Sequence, residues 1–412
     1  MRRLASMVSL STLVILGTVP AEYAKSSEIF LYDGTSTIKL TDGPSTHMHP
    51  KINNSGWVVW YGSDGSDNEI FLYDGTAVIQ LTDNSDNDIL PQINDLGWVV
   101  WHGCDSGTGY FCDFGGDFEI FLYDGISTTK LTDNNYDDER PQINDNGWVA
   151  WHGAEGTDTD IFVYDGTGTI QLTNPAGNDY SAQINNNNLV CWYGWDGADS
   201  EIFIYDGSGI TQITDNSYSD IRPEINDDGW MVWLGGDDPD DDEVFLYDGS
   251  SIIQLTDNDF SVENPQINES GWVVWEGEDY PSWCEIFLYD GTSTTELTNP
   301  AWRDKHPEIN DNGWVVWEGF DGSDAEIFLY DGTRISQLTD NSNDNDQLPQ
   351  INNSGYVVWS GEVPTESCAG SSAASTLGTS PTYGVSDLGK HLAYVLLPIG
   401  AVIAIRIWRR KK

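Results

Sequence analysis

Two short phrases alternate along this chain, and together they repeat about every 42 residues. The first phrase, E-I-F-L-Y-D-G, has five identical and three near copies, which begin at residues 28, 69, 119, 160, 201, 243, 285 and 326. The second recurs eight times, from KINNSGWVVW at 51–60 to QINNSGYVVW at 350–359. A fixed period of this length indicates that the chain folds as a series of equal supersecondary units.

Each unit carries four short strand signals separated by turn residues. In the first complete unit they are P-K-I-N, W-V-V-W, E-I-F-L-Y-D and V-I-Q-L-T, with turns such as Asn-Asn-Ser-Gly that are typical of tight hairpins. Along the third strand Ile70 and Leu72 would face one side and Phe71 and Tyr73 the other, so both faces of the sheet need a partner. Repeated four-stranded antiparallel sheets that cover one another are the blades of a β-propeller, so we predict an all-β propeller.

The chain starts and stops within a unit. It opens on the third and fourth strands of one unit at residue 28, and its last copy stops after the first and second strands, close to residue 361. A linear stack of units would need polar caps at both ends, whereas the terminal copies here are as apolar as the others. We therefore predict a single eight-bladed propeller over residues 26–361, closed by one blade that the N- and C-terminal strands share.

The repeat resembles a known family. P-x-I-N-x-x-G-W-V-V-W, followed by a D-G loop, E-I-F-L-Y-D-G and x-x-L-T-D, is similar to the TolB-like propeller repeat, in which Pro-x-Trp-Ser-Pro-Asp-Gly precedes an apolar strand and Leu-Thr ends the unit. Here Ile-Asn replaces Trp-Ser-Pro. The resemblance implies the propeller fold. It also raises an enzymatic alternative, because some lyases and prolyl-oligopeptidase-like peptidases carry such propellers, although the G-x-S-x-G motif of those peptidases is absent from this sequence.

Both ends of the chain carry patterns typical of export. Residues 1–24 join two arginines to a short apolar run, which predicts a signal peptide. Residues 362–390 are rich in Ser, Gly and Thr and predict a flexible linker. Residues 391–412 hold an apolar stretch with a basic end, which predicts a transmembrane segment whose end is cytoplasmic. This tail resembles PEP-CTERM-type sorting tags, so we expect a protein at the cell surface or in the periplasm, anchored in the membrane or processed there.

The predicted propeller is strongly acidic. Residues 26–361 hold 8 Lys and Arg against 63 Asp and Glu, a net charge of −55. Such a field repels phosphate backbones, so we expect no nucleic-acid partner, and it attracts divalent cations and cationic partners. Cys104 and Cys112, in one insertion, are expected to form a disulfide in an exported chain; two free thiols are the alternative.

Acidic loops link the second and third strands of several units and suggest a metal site. In GSDGSDNE, GWDGADSE and GFDGSDAE, aspartates flank a glycine, and their oxygens could surround a hard cation such as Ca²⁺. Solvated Asp-Gly turns are the alternative interpretation. The candidate ligands are Asp64, Asp67, Asp196, Asp199, Asp321 and Asp324. His102 and His152 share one repeat position and could hold a metal as a pair, but a variable position at a strand end is the preferred interpretation.

Positive charges gather at one predicted rim. The residue before the Pro of the second phrase should stand at the mouth of the channel, and several basic residues lie there or nearby. They form a candidate binding site for an anionic group: His49, Lys51, Arg140, Arg222, Arg303, Lys305 and His306. The alternative is that Arg140 and Arg222 pair with aspartates of their own loops, namely Asp137, Asp138 and Asp220.

Together these patterns favour a non-enzymatic function. The leading hypothesis is an exported binding or scaffold module that recognises a protein or glycan on its top face. The first alternative is a polysaccharide lyase or glycosidase of the TolB-like propeller type. The second is a structural envelope protein whose acidic rim binds divalent ions. No catalytic residue is assigned, and Ca²⁺ is the one cofactor considered.

Overall fold

A computed structural model describes residues 25–105, 112, 116–174, 177–236, 242–258, 260–279, 283–298, 303–341 and 344–364. These residues form eight four-stranded antiparallel sheets arranged as an eight-bladed propeller, as predicted. No helix in this part of the chain is long and apolar enough to cross a membrane. The predicted signal peptide and transmembrane helix lie outside the described residues, so the transmembrane helix gains no support here.

The first strand of each blade surrounds the central channel, and the second strand lies beside it. The first strands are β3 (His47–Ile52), β7 (Asp88–Ile93), β11 (Asp138–Ile143), β15 (Asp179–Ile184), β19 (Ser219–Ile225), β23 (Val262–Ile267), β27 (Asp304–Ile309) and β31 (Asp346–Ile351). The second strands are β4 (Val58–Ser63), β8 (Val99–Cys104), β12 (Val149–Glu155), β16 (Val190–Trp195), β20 (Met231–Gly236), β24 (Val273–Asp279), β28 (Val315–Phe320) and β32 (Val357–Pro364).

The third strand carries the first phrase, and the short fourth strand is exposed at the periphery. The third strands are β1 (Lys25–Tyr32), β5 (Asn68–Tyr73), β9 (Phe118–Tyr123), β13 (Asp158–Tyr164), β17 (Ser200–Tyr205), β21 (Glu243–Tyr247), β25 (Trp283–Tyr289) and β29 (Ala325–Tyr330). The fourth strands are β2 (Thr37–Lys39), β6 (Val78–Gln80), β10 (Thr128–Lys130), β14 (Thr169–Gln171), β18 (Ile210–Gln212), β22 (Ile252–Gln254), β26 (Thr294–Glu296) and β30 (Ile335–Gln337).

The two ends of the propeller meet in one blade. Its strand order is β2-β1-β32-β31, and β1 pairs with β32 from Lys25 opposite Pro364 to Tyr32 opposite Val357. Phe30 and Trp359 stack across this junction, with ring centroids 5.8 Å apart. We number the blades 1 to 7 from β3–β6 to β27–β30, and the closing blade is blade 8.

The hydrophobic core consists of clusters that adjacent blades share. Between blades 1 and 2, Val59, Ile70 and Leu72 from one blade pack against Val99 and Trp101 from the next. The third strand is apolar on both faces because Ile70 and Leu72 are buried between blades 1 and 2, while Phe71 and Tyr73 pack on the cluster that blade 1 shares with blade 8. The arrangement explains why a strand that does not alternate apolar with polar residues can still be stable.

In seven of the eight blades, a buried tryptophan on the second strand is anchored by a polar side chain on the first. In blade 2 the Trp101 indole donates a hydrogen bond to Asp88 Oδ1 at 2.8 Å. Blade 1 uses His47 in place of the aspartate, and blade 6 has Val262. The aspartate–tryptophan pairs are Asp88–Trp101, Asp138–Trp151, Asp179–Trp192, Asp220–Trp233, Asp304–Trp317 and Asp346–Trp359.

Blade 2 contains a disulfide. Cys104, at the end of β8, forms a disulfide with Cys112, and their Cα atoms are 5.8 Å apart. Cys191 is buried in the core between blades 4 and 5.

Candidate functional site: the central channel

One end of the channel is surrounded by a continuous ring of asparagine side chains, which line a cavity of about 340 Å³. Each Asn of P-x-I-N donates from Nδ2 to the backbone carbonyl of its equivalent in the next blade. Asn352 completes the circle by donating to the Asn53 carbonyl at 2.9 Å. The members are Asn53, Asn94, Asn144, Asn185, Asn226, Asn268, Asn310 and Asn352. Because every member is buried and paired, this ring fixes the position of all eight first strands.

A second ring stands next to the first. The backbone N–H that follows each ring asparagine donates to the side chain of its equivalent in the next blade; for example, Asp95 N donates to Asp145 Oδ1 at 2.8 Å. The acceptors are Asn54, Asp95, Asp145, Asn186, Asp227, Glu269, Asp311 and Asn353. Burial and the charge of neighbouring aspartates raise the pKa of Glu269 to about 7. The I-N-x-x segment of each blade therefore links that blade to the next through hydrogen bonds in both rings.

At the opposite end, each first strand contains a bulge. The residue before the Pro, or before Ala182 in blade 4, has a left-handed backbone, with φ between 51° and 55° in all eight blades. The strand register shifts at the same place, for example between Met48 and Lys51. A left-handed residue other than glycine costs energy, and a bulge re-aims its side chain. The eight bulge residues are His49, Leu90, Arg140, Ser181, Arg222, Asn264, His306 and Leu348.

Between the two ends, a third set of side chains faces the channel. These are the residues that follow the Pro: Lys51, Gln92, Gln142, Gln183, Glu224, Gln266, Glu308 and Gln350. Lys51 Nζ donates to Gln350 Oε1 at 3.0 Å, and Gln350 Nε2 donates to Glu308 Oε1 at 2.7 Å. Gln183 Nε2 donates to Glu224 Oε1 at 2.9 Å. We call this set the amide ring.

The amide ring holds two carboxyl groups with raised pKa values. Burial raises the pKa of Glu224 to about 8; the charge of Glu308 adds to this and that of Lys51 opposes it. Burial also raises the pKa of Glu308, again opposed by Lys51. These three residues belong to blades that are not adjacent, namely blades 1, 5 and 7. Beside them is a cavity of about 170 Å³ lined in part by His49, Lys51, His306 and Glu308.

The predicted basic rim is only partly assembled. His49, Lys51 and His306 line that one cavity, whereas Lys305 lines a separate small cavity beside Glu276. Arg140, Arg222 and Arg303 are exposed. The His49 ring stacks on Tyr61, and burial lowers its pKa. His306 Nδ1 lies 3.2 Å from Glu318 Oε2, a hydrogen bond that raises the pKa of the histidine.

The two rim arginines do not make the aspartate ion pairs considered as the alternative. Among the described residues, neither Arg140 nor Arg222 forms an ion pair with Asp137, Asp138 or Asp220. Asp138 and Asp220 are instead the acceptors of tryptophan indoles, which explains their position directly before the bulge. Both guanidinium groups are therefore free to meet a ligand at this rim.

The repeat position of His102 and His152 has a structural role. His102 Nδ1 accepts the backbone N–H of Arg140 at 3.0 Å, and burial lowers the pKa of this histidine to about 3. Glu276, at the same position in blade 6, accepts the N–H of His306 at 2.8 Å. In these two blades the side chain thus accepts the N–H of the bulge residue of the next blade, whereas His152 Nδ1 has no hydrogen-bond partner among the described residues. His102 uses one ring nitrogen for this bond, which favours the structural interpretation over a metal pair.

The acidic loops bring some of the candidate metal ligands together. Asp64 and Asp67 converge with Glu69, and Asp196 and Asp321 each converge with a glutamate and another aspartate, all within 4.8 Å. Asp199 and Asp324 belong to none of these groups, and Asp324 accepts the N–H of Asp344. The glutamates Glu69, Glu201 and Glu326 were not among the predicted ligands, because they open an apolar strand phrase that looked purely structural.

The fold and its channel define this chain as a closed eight-bladed β-propeller. No protein-family model and no curated protein matches the sequence. Several solved structures are similar to this propeller. The propeller domain of the Trilobed protease from Pyrococcus furiosus aligns over 72% of this chain and 98% of that chain, with a TM-score of 0.51 and 14% identity. Dipeptidyl peptidase 4 from Porphyromonas gingivalis gives a TM-score of 0.55 at 12% identity, over 73% of this chain and 54% of that chain.

A puromycin-hydrolyzing peptidase from Mycobacterium tuberculosis aligns over 72% of this chain and 53% of that chain, with a TM-score of 0.51 and 15% identity. The chain thus spans about half the length of the two whole peptidases. Identities this low establish the fold alone. The Trilobed protease propeller is described as having an open velcro topology, whereas β1 and β32 close the ring here.

The comparisons correct the functional expectation. The similar structures are peptidases or propeller domains of peptidases. They do not fit a scaffold that recognises a folded protein or a glycan on its top face. They also fit neither a polysaccharide lyase or glycosidase nor a structural envelope protein that binds divalent ions.

Proposed function

We propose that this propeller handles short peptides, which enter its channel and are held there by their positively charged amino-terminal end. The peptidase propellers to which it is similar support the class of ligand. The carboxyl and amide groups of the amide ring support binding through the amino-terminal end of the peptide. The proposal concerns capture and positioning of the peptide and assigns no hydrolytic residue to this chain.

The observation that carries the proposal is the pair of carboxyl groups in the amide ring. Glu224 and Glu308 both face the channel, and when both are ionised their two negative charges exceed the single positive charge of Lys51. An ammonium group placed among them would therefore balance the charge of the ring. The glutamines beside them offer both donors and acceptors, which a peptide backbone requires.

The field of the whole propeller favours the same ligand. Its net charge of −55 concentrates cations near its surface and repels anions such as acidic polysaccharides. Peptides with a free amino terminus or basic side chains would be drawn toward the channel. The exposed Arg140 and Arg222 at the mouth could meet the carboxylate at the other end of a short peptide.

The proposal predicts a specific pH dependence of the affinity for the peptide. Since burial raises the pKa of Glu224 to about 8, this group is largely protonated at neutral pH. An ammonium ion favours the charged carboxylate, so binding should release a proton. The affinity should rise as the pH increases from 6 to 8, and it should stop rising when the peptide's own amino group, with a pKa of about 8, loses its charge.

Calorimetry with short peptides tests the proposal. A tripeptide with a free amino terminus should bind more tightly than its acetylated form, and Glu224→Gln with Glu308→Gln should remove that preference. Glu296→Gln, which deletes the same charge at the exposed edge of β26, is the matched control and should bind as the wild type does. Equal binding of free and acetylated peptides by a well-folded wild type would refute peptide capture by the amide ring.

We also propose the finer assignments that the sequence suggests. The repeat chemistry supports a TolB-like propeller, and the pattern of the two ends supports export, with the chain anchored or sorted through a PEP-CTERM-like tail. Fractionation of cells that express the full chain, followed by mass spectrometry of its two ends, would test this directly.

A further inference from the structure

The phrase E-I-F-L-Y-D-G on the third strand of each blade begins with an acidic residue whose burial needs an explanation. Glu28, Glu69, Glu119, Glu201 and Glu326 are all fully buried. One carboxylate oxygen is fixed by a backbone N–H fifteen residues later; Glu69 Oε1, for example, accepts the Asn84 N–H at 2.9 Å. A buried carboxylate is costly unless a positive charge accompanies it.

Two blades supply that positive charge from the last residue of the fourth strand. In blade 8, Lys39 Nζ lies 3.3 Å from Glu28 Oε1. In blade 2, Lys130 Nζ lies 3.7 Å from Glu119 Oε1 and 2.9 Å from Asp105 Oδ2. The place beside the buried glutamate is thus a cation position in both of these blades.

Blade 1 lacks the lysine but keeps counterparts of the three carboxylates that converge beside Lys130 in blade 2, namely Asp105, Asp117 and Glu119. Gln80 stands where Lys39 and Lys130 stand in the other two blades. Asp64, Asp67 and Glu69 each bring an oxygen to within 4.8 Å of the others. Asp67 is 7% exposed, and neither of its carboxylate oxygens accepts a hydrogen bond; Glu69 Oε2 accepts none either. Three negative groups therefore converge, with unpaired buried oxygens, on the place that an ammonium occupies elsewhere.

We propose that Asp64, Asp67 and Glu69 form a divalent-cation site that takes Ca²⁺. The ion replaces the lysine ammonium of blades 2 and 8 and ties the β4–β5 loop to the buried end of β5. Oxygen-only ligands suit Ca²⁺ or Mg²⁺ and disfavour Zn²⁺, which prefers nitrogen and sulfur. Among hard cations, Ca²⁺ accepts several carboxylates in an irregular arrangement, whereas Mg²⁺ demands a near-ideal octahedron and keeps its water.

Blades 4 and 7 repeat the pattern in a more open form. There the buried glutamate is joined by two aspartates that are exposed or half-buried, Asp196 and Asp215 in blade 4 and Asp321 and Asp340 in blade 7. Both blades again have glutamine in place of the lysine. They should bind the same ion more weakly than blade 1, because more of their ligands are solvated.

The decisive variant is Gln80→Lys, which copies the lysine of blades 2 and 8 into blade 1. Full-length protein stripped with EDTA is titrated with CaCl₂ by calorimetry. We expect the tightest site of the wild type to disappear in Gln80→Lys, while the melting temperature without Ca²⁺ rises because the ammonium now balances Glu69. Asp67→Asn should weaken the tightest site at least tenfold. Asp74→Asn removes the same charge from the β5–β6 turn, where an amide oxygen can still accept the same bonds, so this control should bind as the wild type does.

Three results would overturn the proposal. The first is a wild type that binds no Ca²⁺ at millimolar concentration. The second is a tightest site that survives unchanged in both Gln80→Lys and Asp67→Asn. The third is Mg²⁺ binding as tight as that of Ca²⁺, which would refute the assignment of the site to Ca²⁺. Because the readout is metal binding and not peptide binding, its outcome is independent of the channel's function.

Discussion

Replacing Asn310 with alanine should destabilise the whole propeller, because this side chain belongs to the asparagine ring. Asn310 is 3% exposed. Its Nδ2 donates to the Asn352 carbonyl at 2.9 Å, and its Oδ1 accepts the N–H groups of Asn312 and Trp314, both at 3.0 Å. Alanine removes all three bonds and breaks the ring between blades 7 and 8.

The magnitude follows from the groups that are left without partners. The Asn352 carbonyl and the Trp314 N–H lie deep in the ring, whereas the Asn312 N–H can turn toward water. Each buried group left unpaired costs about 1–3 kcal/mol, so the free energy of unfolding should fall by about 2–6 kcal/mol. Asn312→Ala is the matched control: its Nδ2 bond to the Asn353 carbonyl is exposed, so its loss should cost less than about 1 kcal/mol.

Equilibrium unfolding in guanidinium chloride, followed by tryptophan fluorescence, measures both variants. The difference between the two midpoints, multiplied by a shared m-value, gives the difference in the free energy of unfolding. If Asn310→Ala and Asn312→Ala shift the midpoint equally, the asparagine ring is not a source of stability and the argument is wrong.

Two further predictions follow from the ring closure and from the buried aspartates. Deleting residues 25–42 removes β1 and β2 and leaves the edge of β32 unpaired, so the protein should aggregate or lose cooperative unfolding; an unchanged, soluble melting transition would contradict closure by the shared blade. Burial raises the pKa of Asp88 and of Asp346 to about 7, above the unfolded value, so their contribution to stability is complete below pH 4 and is lost as the pH rises through about 7. The melting temperature measured by calorimetry should therefore be higher at pH 5 than at pH 8, and the opposite order would refute the assignment.

The fold could be predicted because the same pattern of strands and turns occurs eight times in the sequence. Both apolar faces of E-I-F-L-Y and the half units at the two ends are visible in a single sequence, and they suffice for the eight blades and their closure. The bulge could not be found this way, since no local propensity places Leu90 or Arg222 in a left-handed conformation before proline. The pairing of the first and second strands imposes it, because the register shifts at this place in every blade.

The candidate site was harder to predict for a related reason. Residues that line the channel, such as Glu224 and Gln350, are separated by whole blades, and the motif gives no sign that they meet. Glu69 was hidden by its place in an apolar phrase, because sequence periodicity reports which residues are buried and not which buried carboxylates lack a partner. The aspartates before the bulge looked like loop acids, although they anchor tryptophans.

The anchoring of the tryptophans explains a conserved feature of the repeats and gives a matched test within one chain. Gly103 lies opposite Asp88 in the β7–β8 pair, and a Cβ there would lie 2.0 Å from Asp88 Oδ1. Gly277 has the same place in blade 6, where the residue opposite is Val262 and a Cβ would meet a ring atom of Phe287 at 3.1 Å. The glycine is therefore required most strictly where the aspartate is present.

Gly103→Ala should consequently destabilise the protein much more than Gly277→Ala. Overpacking costs about 1–3 kcal/mol, and displacing Asp88 leaves the Trp101 indole unpaired for about another 1–3 kcal/mol, so the first variant should lose about 2–6 kcal/mol. The second needs only a small shift of an aromatic ring and should lose about 1 kcal/mol. Adding Asp88→Val to Gly103→Ala places valine opposite the alanine, as Val262 would lie in Gly277→Ala, and should recover part of the loss, which a double-mutant cycle by chemical unfolding would measure. Equal losses for the two glycines, or no recovery in the double variant, would show that the aspartate does not set the requirement for glycine.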